Sequence, residues 1–161
     1  MAVNFLMQFT ANGQVLNGES KAARYETWIE VIAYEFAGQR GQAGSAGGGR
    51  MGAPTLGNFV LRKRVDSASP LLFKAFTNNE QCELKLVMRK SGGEMQDYMR
   101  IELKQGVIAK LVQGNLAFGG EMAEEEVHLS YQSLKMIYDV QDQKTGIVRG
   151  GIEHEYIVRG A

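Results

Sequence analysis

The chain has 161 residues, and its 18 Lys and Arg balance its 18 Asp and Glu, so the formal net charge is zero. This length suits a single domain (1–161), and the charge balance excludes the strongly basic surface typical of nucleic-acid-binding proteins. The one cysteine, Cys82, cannot form an internal disulfide, and with two histidines it supplies too few ligands for most structural zinc sites. We therefore expect no nucleic-acid partner, no metal and no cofactor.

The start of the sequence lacks the features of an export signal. Residues 1–14 (MAVNFLMQFTANGQ) contain no Lys or Arg before their short apolar run, whereas a secretory signal begins with positive charge. No stretch approaches the roughly 18 consecutive apolar residues that a membrane-spanning helix requires. We expect synthesis in the cytoplasm, no signal peptide and no membrane insertion.

The segment 28–36 (WIEVIAYEF) has the alternation of a β-strand but is largely apolar on both faces. One face carries Trp28, Glu30, Ile32, Tyr34 and Phe36, and the other carries Ile29, Val31, Ala33 and Glu35. Such a strand meets a partner on each side, so one face fills a barrel interior and the other is covered by a helix or by a neighbouring subunit. We expect Trp28, Ile32, Tyr34 and Phe36 to fill the interior.

A glycine-rich segment follows, since eight of the chain's 20 glycines lie between Gly38 and Gly57. This composition predicts a long mobile loop that extends from the domain. Gly47, Gly49 and Gly52 formally match a GxGxxG pattern, but no helical pattern follows them and Pro54 interrupts the segment. A dinucleotide site needs a strand, a turn and a helix in succession, so we do not expect one here.

The rest of the chain predicts further strands and one helix. Ser69 suits the N-cap of a helix of about two turns, Pro70 suits its first position, and Leu72, Ala75 and Phe76 share one face. Alternating apolar residues mark the strands: Leu84, Leu86, Met88; Met99, Ile101, Leu103; Val127, Leu129, Tyr131; and Met136, Tyr138, Val140. We predict a mainly β protein, a small antiparallel β-barrel with one short α-helix and a long Gly-rich loop.

Two runs of charge remain open to two interpretations. The basic run is Arg62, Lys63 and Arg64, and the acidic run contains Glu121, Glu124, Glu125 and Glu126. They are either solvated surface, as most such runs are, or charge contacts between subunits.

The residues offer no sign of catalysis. His154 lies between Glu153 and Glu155, but alternation places it on the opposite face from both, and Cys82 has no basic neighbour to activate its thiol. No nucleophile elbow, paired-carboxylate signature or phosphate loop is present. We expect a protein that is not an enzyme.

Several segments in order resemble the hemolysin-coregulated protein (Hcp) family of type VI secretion systems. They are MAVNFLMQF at the start, NGES at 17–20, WIEVIAYEF at 28–36, SASPLLFKAF at 67–76, LVMRKSGGEMQDYMRIELKQGVIAKL at 86–111 and SYQSLKMIYDVQD at 130–142. The composition of the Gly-rich loop and the tail HEYIVRGA depart from the family pattern, which leaves the contacts of those two segments open.

This resemblance implies an assembly function. Members of the family form hexameric rings that stack into a tube inside a contractile sheath, beneath a VgrG-type spike, and the rings carry and chaperone secreted effector proteins in their lumen. The tube is expelled, so the protein reaches the extracellular space without a signal peptide. On this basis we expect Glu35, Val31 and Ala33 to face the lumen or a neighbouring subunit. We expect the loop residues Arg40, Gly47, Gly48, Gly49 and Arg50 to contact the next ring. Arg62, Lys63, Arg64, Glu124, Glu125 and Glu126 are candidates for charge contacts between subunits or rings, and solvated surface stays the alternative for them.

Two other functions stay open at this point. The chain could be a phage-type tail tube protein, which is similar in outline, or a monomeric β-barrel that binds or hydrolyses a small ligand. Ring formation separates the monomer from the other two, and effector carriage or spike binding separates the secretion tube from the phage tube.

Overall fold

The computed structural model describes residues 5–42, 51–90, 96–115, 120, 122–141 and 148–158. Antiparallel strands dominate these residues, with one helix among them. In chain order the elements are β1 (Phe5–Ala11), β2 (Gln14–Leu16), β3 (Ile29–Val31), β4 (Ala33–Glu35), β5 (Gly38–Gln42), β6 (Met51–Leu56), β7 (Phe59–Arg64), α1 (Ser69–Thr77), β8 (Cys82–Lys90), β9 (Gln96–Gly114), β10 (Glu124–Ser130), β11 (Ser133–Gln141) and β12 (Val148–Ile157).

The first layer of the sheet is built on β1, β8, the first half of β9, β11 and β12. Its register aligns apolar residues across strands, with Met7 opposite Leu86, Leu86 opposite Ile101 and Ile101 opposite Met136. Since residues opposite one another project to the same face, this alignment forms one wall of the core. The strands predicted around Leu84 and Ile101 are confirmed in position and in the face they bury.

The long strand β9 connects this layer to a second one. Its first half pairs with β8 and β11, and its second half pairs with β10, followed by β7 and β4. The change occurs at Gln105 and Gly106, where Gln105 has a φ of 51°. A Cβ on Gly106 would lie 2.7 Å from the carbonyl oxygen of Ser130 and 3.3 Å from that of Cys82. Glycine is therefore required for the two layers to meet at this corner.

The segment Ile29–Glu35 joins the two ends of the folded sheet. Its first half, β3, pairs with β1, and its second half, β4, pairs with β7. The chain bends between the halves at Ile32, whose backbone N–H donates to the carbonyl of Arg62 at 2.8 Å. This segment thus bridges the two ends of the sheet. The result is a barrel-like, mainly β form with one helix, in agreement with the fold class expected from the sequence.

The bend also corrects the expected alternation of this segment. Ile29 and Val31 are buried, whereas Ile32 is 42% exposed, so the prediction that Ile32 fills the core is wrong. After the bend the order resets, and Tyr34 and Phe36 pack against Phe59 at ring-centroid distances of 5.8 and 5.6 Å. A single period of two cannot describe a strand that changes partner in its middle.

Helix α1 covers one side of the core. Leu72 and Ala75 are buried as predicted, but Phe76 is 36% exposed. Ala68, not Ser69, occupies the N-cap position, and Ser69 is the first helical residue. The hydroxyl of Ser69 is instead directed inward, which ties the helix to a buried cluster described below.

Toward the end of β11, the side chains predicted to face the core are exposed. Leu134 is buried, Met136 is partly buried, and Tyr138 and Val140 are 44% and 37% exposed. The expectation that Tyr138 and Val140 lie in the core is therefore wrong. The β11–β12 hairpin extends beyond the part of the first layer that the second layer covers.

Candidate functional site

The glycine-rich segment is partly ordered as a hairpin. Gly38 pairs with Leu56 and Gln42 pairs with Met51, so β5 and β6 form a two-stranded sheet apart from the main one. The guanidinium of Arg40 donates to the carbonyl of Gly52 at 3.2 Å, which holds the two strands together. The prediction of a mobile loop over the whole of 38–57 is thus wrong at both ends, because strand pairing satisfies the backbone there.

The other residues expected to contact a neighbouring ring fall between β5 and β6 in the sequence. Gly47, Gly48, Gly49 and Arg50 lie outside the described residues. Gly52 lies in β6, and β7 follows it, so the strand–turn–helix order of a dinucleotide site is not formed at this place.

The residues expected to face a lumen are separated by the bend at Ile32. Val31 is only 4% exposed and belongs to the core, so its expected placement on the lumen face is wrong. Ala33 and Glu35 are exposed on the outer side of β4. In that position they lie beside β7, with Ala33 opposite Arg62 and Glu35 opposite Val60.

The two charge runs lie on neighbouring strands of this same layer. Glu124, Glu125 and Glu126 on β10 are opposite Arg64, Lys63 and Arg62 on β7. Alternation sends the members of each run to different faces. Arg62 and Glu124 meet on the outer face at 2.6 Å, and Glu126 lies 2.6 Å from the ring nitrogen Nε2 of His128.

Lys63 and Glu125 lie on the inner face, with no exposed side-chain surface. A buried side chain cannot reach another subunit, so the inter-subunit role expected for these two residues is wrong. The alternative, that they belong to solvated surface, is wrong for the same reason. The sequence contained the signal that identifies them: Lys63 continues the inward series of Phe59 and Leu61, and Glu125 precedes Val127 at the same spacing.

Every charged group in this cluster has partners. The ammonium of Lys63 lies 2.7 Å from Glu125 Oε2 and 3.1 Å from Asp66 Oδ1, and it donates to the carbonyl of Arg64 at 2.8 Å. Ser69 donates to Glu125 Oε2 at 2.9 Å, and the amide of Gln113 donates to Glu125 Oε1 at 2.7 Å. The cluster links α1, β7, β9 and β10 to one another. Its charged groups are engaged in these internal hydrogen bonds and ion pairs.

A groove lies beside this cluster between α1 and the second half of β9. Its volume is about 430 Å³, and its lining combines the apolar side chains of Val65, Pro70, Phe73 and Leu111 with Asp66, Ser69 and Gln113. Asp66 and Ser69 are engaged with Lys63, and Gln113 with Glu125. The groove therefore offers mainly apolar contact rather than chemically reactive groups.

The segment just before β3 that contains Tyr25 and Trp28, here called the strap, covers the outer face of the first layer. The hydroxyl of Tyr25 donates to Asp97, Arg89 lies over the Tyr25 ring at 5.3 Å, and Trp28 contacts the same ring edge-on at 4.8 Å. Burial, followed by the hydrogen bond to Asp97, raises the pKa of Tyr25 to about 12. Sequence reasoning missed this strap, because no local pattern links Tyr25 to Asp97, which is 72 residues away.

The groups that most often signal catalysis are not arranged for it in the described part of the chain. Burial raises the pKa of the Cys82 thiol to about 11, and the thiol donates to the carbonyl of Glu80. His154 is exposed on β12, opposite Met136. No group of three or more His, Cys, Asp or Glu residues that could hold a metal is found among the described residues.

The nine-residue α1 is much too short to cross a bilayer, and the described residues form no other helix that could do so.

Several solved protein structures are similar to this one. The chain is similar over 96% of its length to the structure of Hcp1 from Salmonella typhimurium, with 24% identity, a TM-score of 0.74 and 95% of that chain covered. A mutant form of Hcp1 from E. coli EAEC 042 matches 99% of this chain and 100% of its own, at 19% identity and a TM-score of 0.75. The secreted protein Hcp3 from Pseudomonas aeruginosa matches 96% of this chain and 99% of its own, at 17% identity and a TM-score of 0.71.

At these identities the structures establish the shared fold, and no curated protein matches the chain. The sequence model of the family described as "Type VI secretion system effector, Hcp" matches residues 7–138, which include nearly all of the barrel and α1. The chain therefore belongs to the Hcp family of type VI secretion proteins.

Proposed function

We propose that this protein is the ring-forming subunit of a type VI secretion tube, and that six copies form each ring. The observation that carries the proposal is the Hcp family match over residues 7–138, together with solved Hcp structures that cover the chain from end to end. In this role the rings stack into a tube within a contractile sheath, beneath a VgrG-type spike, and the protein is expelled with the tube. Secreted effectors travel in the lumen.

The outer face of β4, β7 and β10 suits the wall of such a lumen. On this face the guanidinium of Arg62 pairs with Glu124, and Glu126 lies 2.6 Å from Nε2 of His128. Ala33 and Glu35 continue this face at the β4 edge. A wall that has to hold cargo and then release it needs small or hydrated side chains that bind the cargo only weakly. We therefore assign Glu35 and Ala33 to the lumen, without Val31.

The β5–β6 hairpin suits contact between rings. It is separate from the main sheet, and each of its strands is hydrogen-bonded only to the other among the described residues. Arg40 links its two strands through the carbonyl of Gly52. We keep Gly47, Gly48, Gly49 and Arg50, which follow β5 in the sequence, as candidates for contact with the adjacent ring. Arg64 is exposed at the end of β7, and we keep it as a candidate for contact between subunits.

Native mass spectrometry tests the proposal directly. Six chains of 17.8 kDa give a ring of about 107 kDa. A dominant ring mass at micromolar concentration, with a central opening in electron micrographs, supports the proposal. A dominant monomer would contradict it and would favour the ligand-binding β-barrel instead.

The lumen assignment has its own test. Glu35→Gln should leave the ring mass unchanged and alter the amount of effector that co-purifies with the ring. Glu83→Gln is the matched control, because it removes an exposed carboxylate from β8, in the other layer. Equal effector retention in both variants, or a ring structure with Glu35 on its outer wall, would contradict the assignment.

A further inference from the structure

The strap spans residues 17–28, between β2 and β3, and its two ends lie together. The backbone N–H of Gly18 donates to the carbonyl of Thr27 at 2.7 Å, and the N–H of Ser20 donates to the carbonyl of Trp28 at 3.0 Å. A Cβ on Gly18 would lie 2.7 Å from that same carbonyl oxygen of Trp28, so the two ends are in close contact. Because the loop is closed at its base, its outer part can leave the sheet without breaking the base.

A small apolar area lies on the outer face of the first layer. Leu6 on β1 and Val87 on β8 are opposite each other and are only 0% and 3% exposed. They alternate with the core residues Met7 and Leu86, so their side chains project to the outer face. Lys85, two residues before Val87 on the same face, is exposed. Something therefore covers Leu6 and Val87 without extending to Lys85.

The contacts of the strap cross the strands that carry this apolar area. Trp28 immediately precedes β3, which pairs with β1, and the hydroxyl of Tyr25 donates to Asp97 on β9. In the sheet, β1 and β8 lie between β3 and β9. Arg89, two residues beyond Val87 on β8, lies over the Tyr25 ring at 5.3 Å. The strap thus passes over Leu6 and Val87 and is their cover.

The side chain of Tyr25 joins the outer part of the strap to the sheet. Its hydroxyl bonds Asp97, and its ring contacts Arg89. The oxygen Oδ1 of Asp97 is buried and has no hydrogen-bond partner among the described residues. A buried acceptor without a hydrogen bond destabilises the closed position of the strap, and water would satisfy this oxygen once the strap is lifted.

The backbone of the strap is strained in the closed position. Arg24 and Thr27 have φ values of 71° and 67°, in the left-handed region that glycine adopts readily. The conformation is most unfavourable for Thr27, because its side chain is branched at Cβ. Such conformations persist only where the surrounding structure holds them, and they relax when the segment is released. Tyr25 lies between these two residues, so its contacts with the sheet hold the strain in place.

We propose that the strap is a lid that opens and closes over Leu6 and Val87 while the sheet stays folded, with Tyr25 and Asp97 as its latch. Opening relaxes the backbone at Thr27 and hydrates Asp97, which offsets part of the cost of exposing the apolar area. The strap therefore controls whether this area can contact another molecule. The proposal concerns a single chain and does not depend on ring formation.

Two variants should move the lid in opposite directions, as measured by hydrogen–deuterium exchange and mass spectrometry. Tyr25→Phe removes the latch bond, and we expect the protected amides of the strap to exchange roughly fivefold faster. Thr27→Gly removes the unfavourable conformation of a branched residue, and we expect these amides to exchange roughly threefold more slowly. Exchange in β8 should stay unchanged in both variants, because the sheet does not open with the strap.

Asn12→Gly is the matched control for Thr27→Gly. Asn12 also has a left-handed φ, of 52°, but it lies in the turn between β1 and β2, so this variant should leave exchange in the strap unchanged. Trp28 is the single tryptophan of the chain and contacts the Tyr25 ring edge-on, so acrylamide quenching of its fluorescence gives a second readout. Quenching should increase in Tyr25→Phe and decrease in Thr27→Gly.

Two results would overturn the lid. In the first, each variant changes exchange in the strap and in β8 by the same factor, which means that the strap opens only when the whole chain unfolds. In the second, exchange and quenching in Tyr25→Phe and Thr27→Gly equal those of the wild type, which means that neither the latch nor the strained backbone governs opening. Both results leave the ring function in place, since that function is judged by the mass of the assembly.

Discussion

Lys63 and Glu125 face each other across β7 and β10, with 2.7 Å between Nζ and Oε2 and no solvent exposure of either side chain. Asp66, Ser69 and Gln113 complete the hydrogen bonding of the pair. The pair joins the start of α1 to the inner face of the second layer. Its place in the fold therefore makes it a structural element and not a contact between subunits.

Removing one partner should be costly. In Lys63→Met the carboxylate of Glu125 stays buried without its cation, and we expect a loss of about 3–5 kcal/mol in the free energy of unfolding, measured by urea denaturation. The double variant Lys63→Met with Glu125→Leu should be much more stable than this single variant, because no uncompensated charge remains. Arg62→Met removes the exposed pair with Glu124 and should cost only about 0–1 kcal/mol. Equal losses in Lys63→Met and Arg62→Met would contradict this account.

Gly106 is the residue that permits the corner between the two layers. In Gly106→Ala the new Cβ would lie 2.7 Å from the carbonyl oxygen of Ser130, so the backbone must shift, and we expect a loss of about 1–3 kcal/mol. Gly114→Ala is the control on the same strand, since its Cβ would meet no atom within 4 Å. Thermal unfolding should separate the two variants, and a stability of Gly106→Ala equal to that of Gly114→Ala would show that the corner tolerates a side chain.

Because of Tyr25, we expect the free energy of unfolding to decrease at alkaline pH. The pKa of Tyr25 in the folded protein is about 12, above its ordinary value of 10, so folding favours the neutral phenol. This contribution is fully present below pH 10 and is lost as the pH rises from 10 to 12. We expect Tyr25→Phe to cost about 1–2 kcal/mol at pH 8, through the lost hydrogen bond to Asp97.

The difference in free energy of unfolding between the wild type and Tyr25→Phe should narrow as the pH approaches 12. Urea denaturation at several pH values measures it. Tyr156→Phe is the control, since Tyr156 is only partly buried and makes no hydroxyl hydrogen bond among the described residues. A constant difference from pH 8 to pH 12 would speak against the role of the Tyr25 hydroxyl.

The hairpin can be shortened without disturbing its base. Gln42 pairs directly with Met51, so an Asn-Gly turn in place of residues 43–50 can close β5 onto β6. We expect this variant to form rings of normal subunit number but to lose stacking into tubes and secretion, as judged by electron microscopy and by assay of the culture medium. A Gly-Ser segment of the original length is the control that separates length from specific contacts. Normal tubes from the shortened variant would exclude the hairpin from ring stacking.

Local pattern was enough to predict much of this molecule. The alternation of Leu84, Leu86 and Met88 identifies β8 and its buried face, and Pro70 followed by Leu72 and Ala75 identifies α1. These predictions hold because the period of hydrophobic residues reports on a single strand or helix that keeps one face toward one core. The ordered set of segments along the chain likewise indicated the Hcp family, which the family match confirms.

Only the tertiary structure shows where a strand changes its pairing partner. The bend at Ile32 moves Val31 into the core, and the limited cover of the second layer leaves Tyr138 exposed, although both residues follow an unbroken local alternation. Lys63 and Glu125 are 62 residues apart, and only the register of β7 against β10 shows that their charges neutralise each other inside the barrel. Local sequence sets which residues alternate, whereas burial depends on which distant strand covers each face, and that is a property of the closed sheet as a whole.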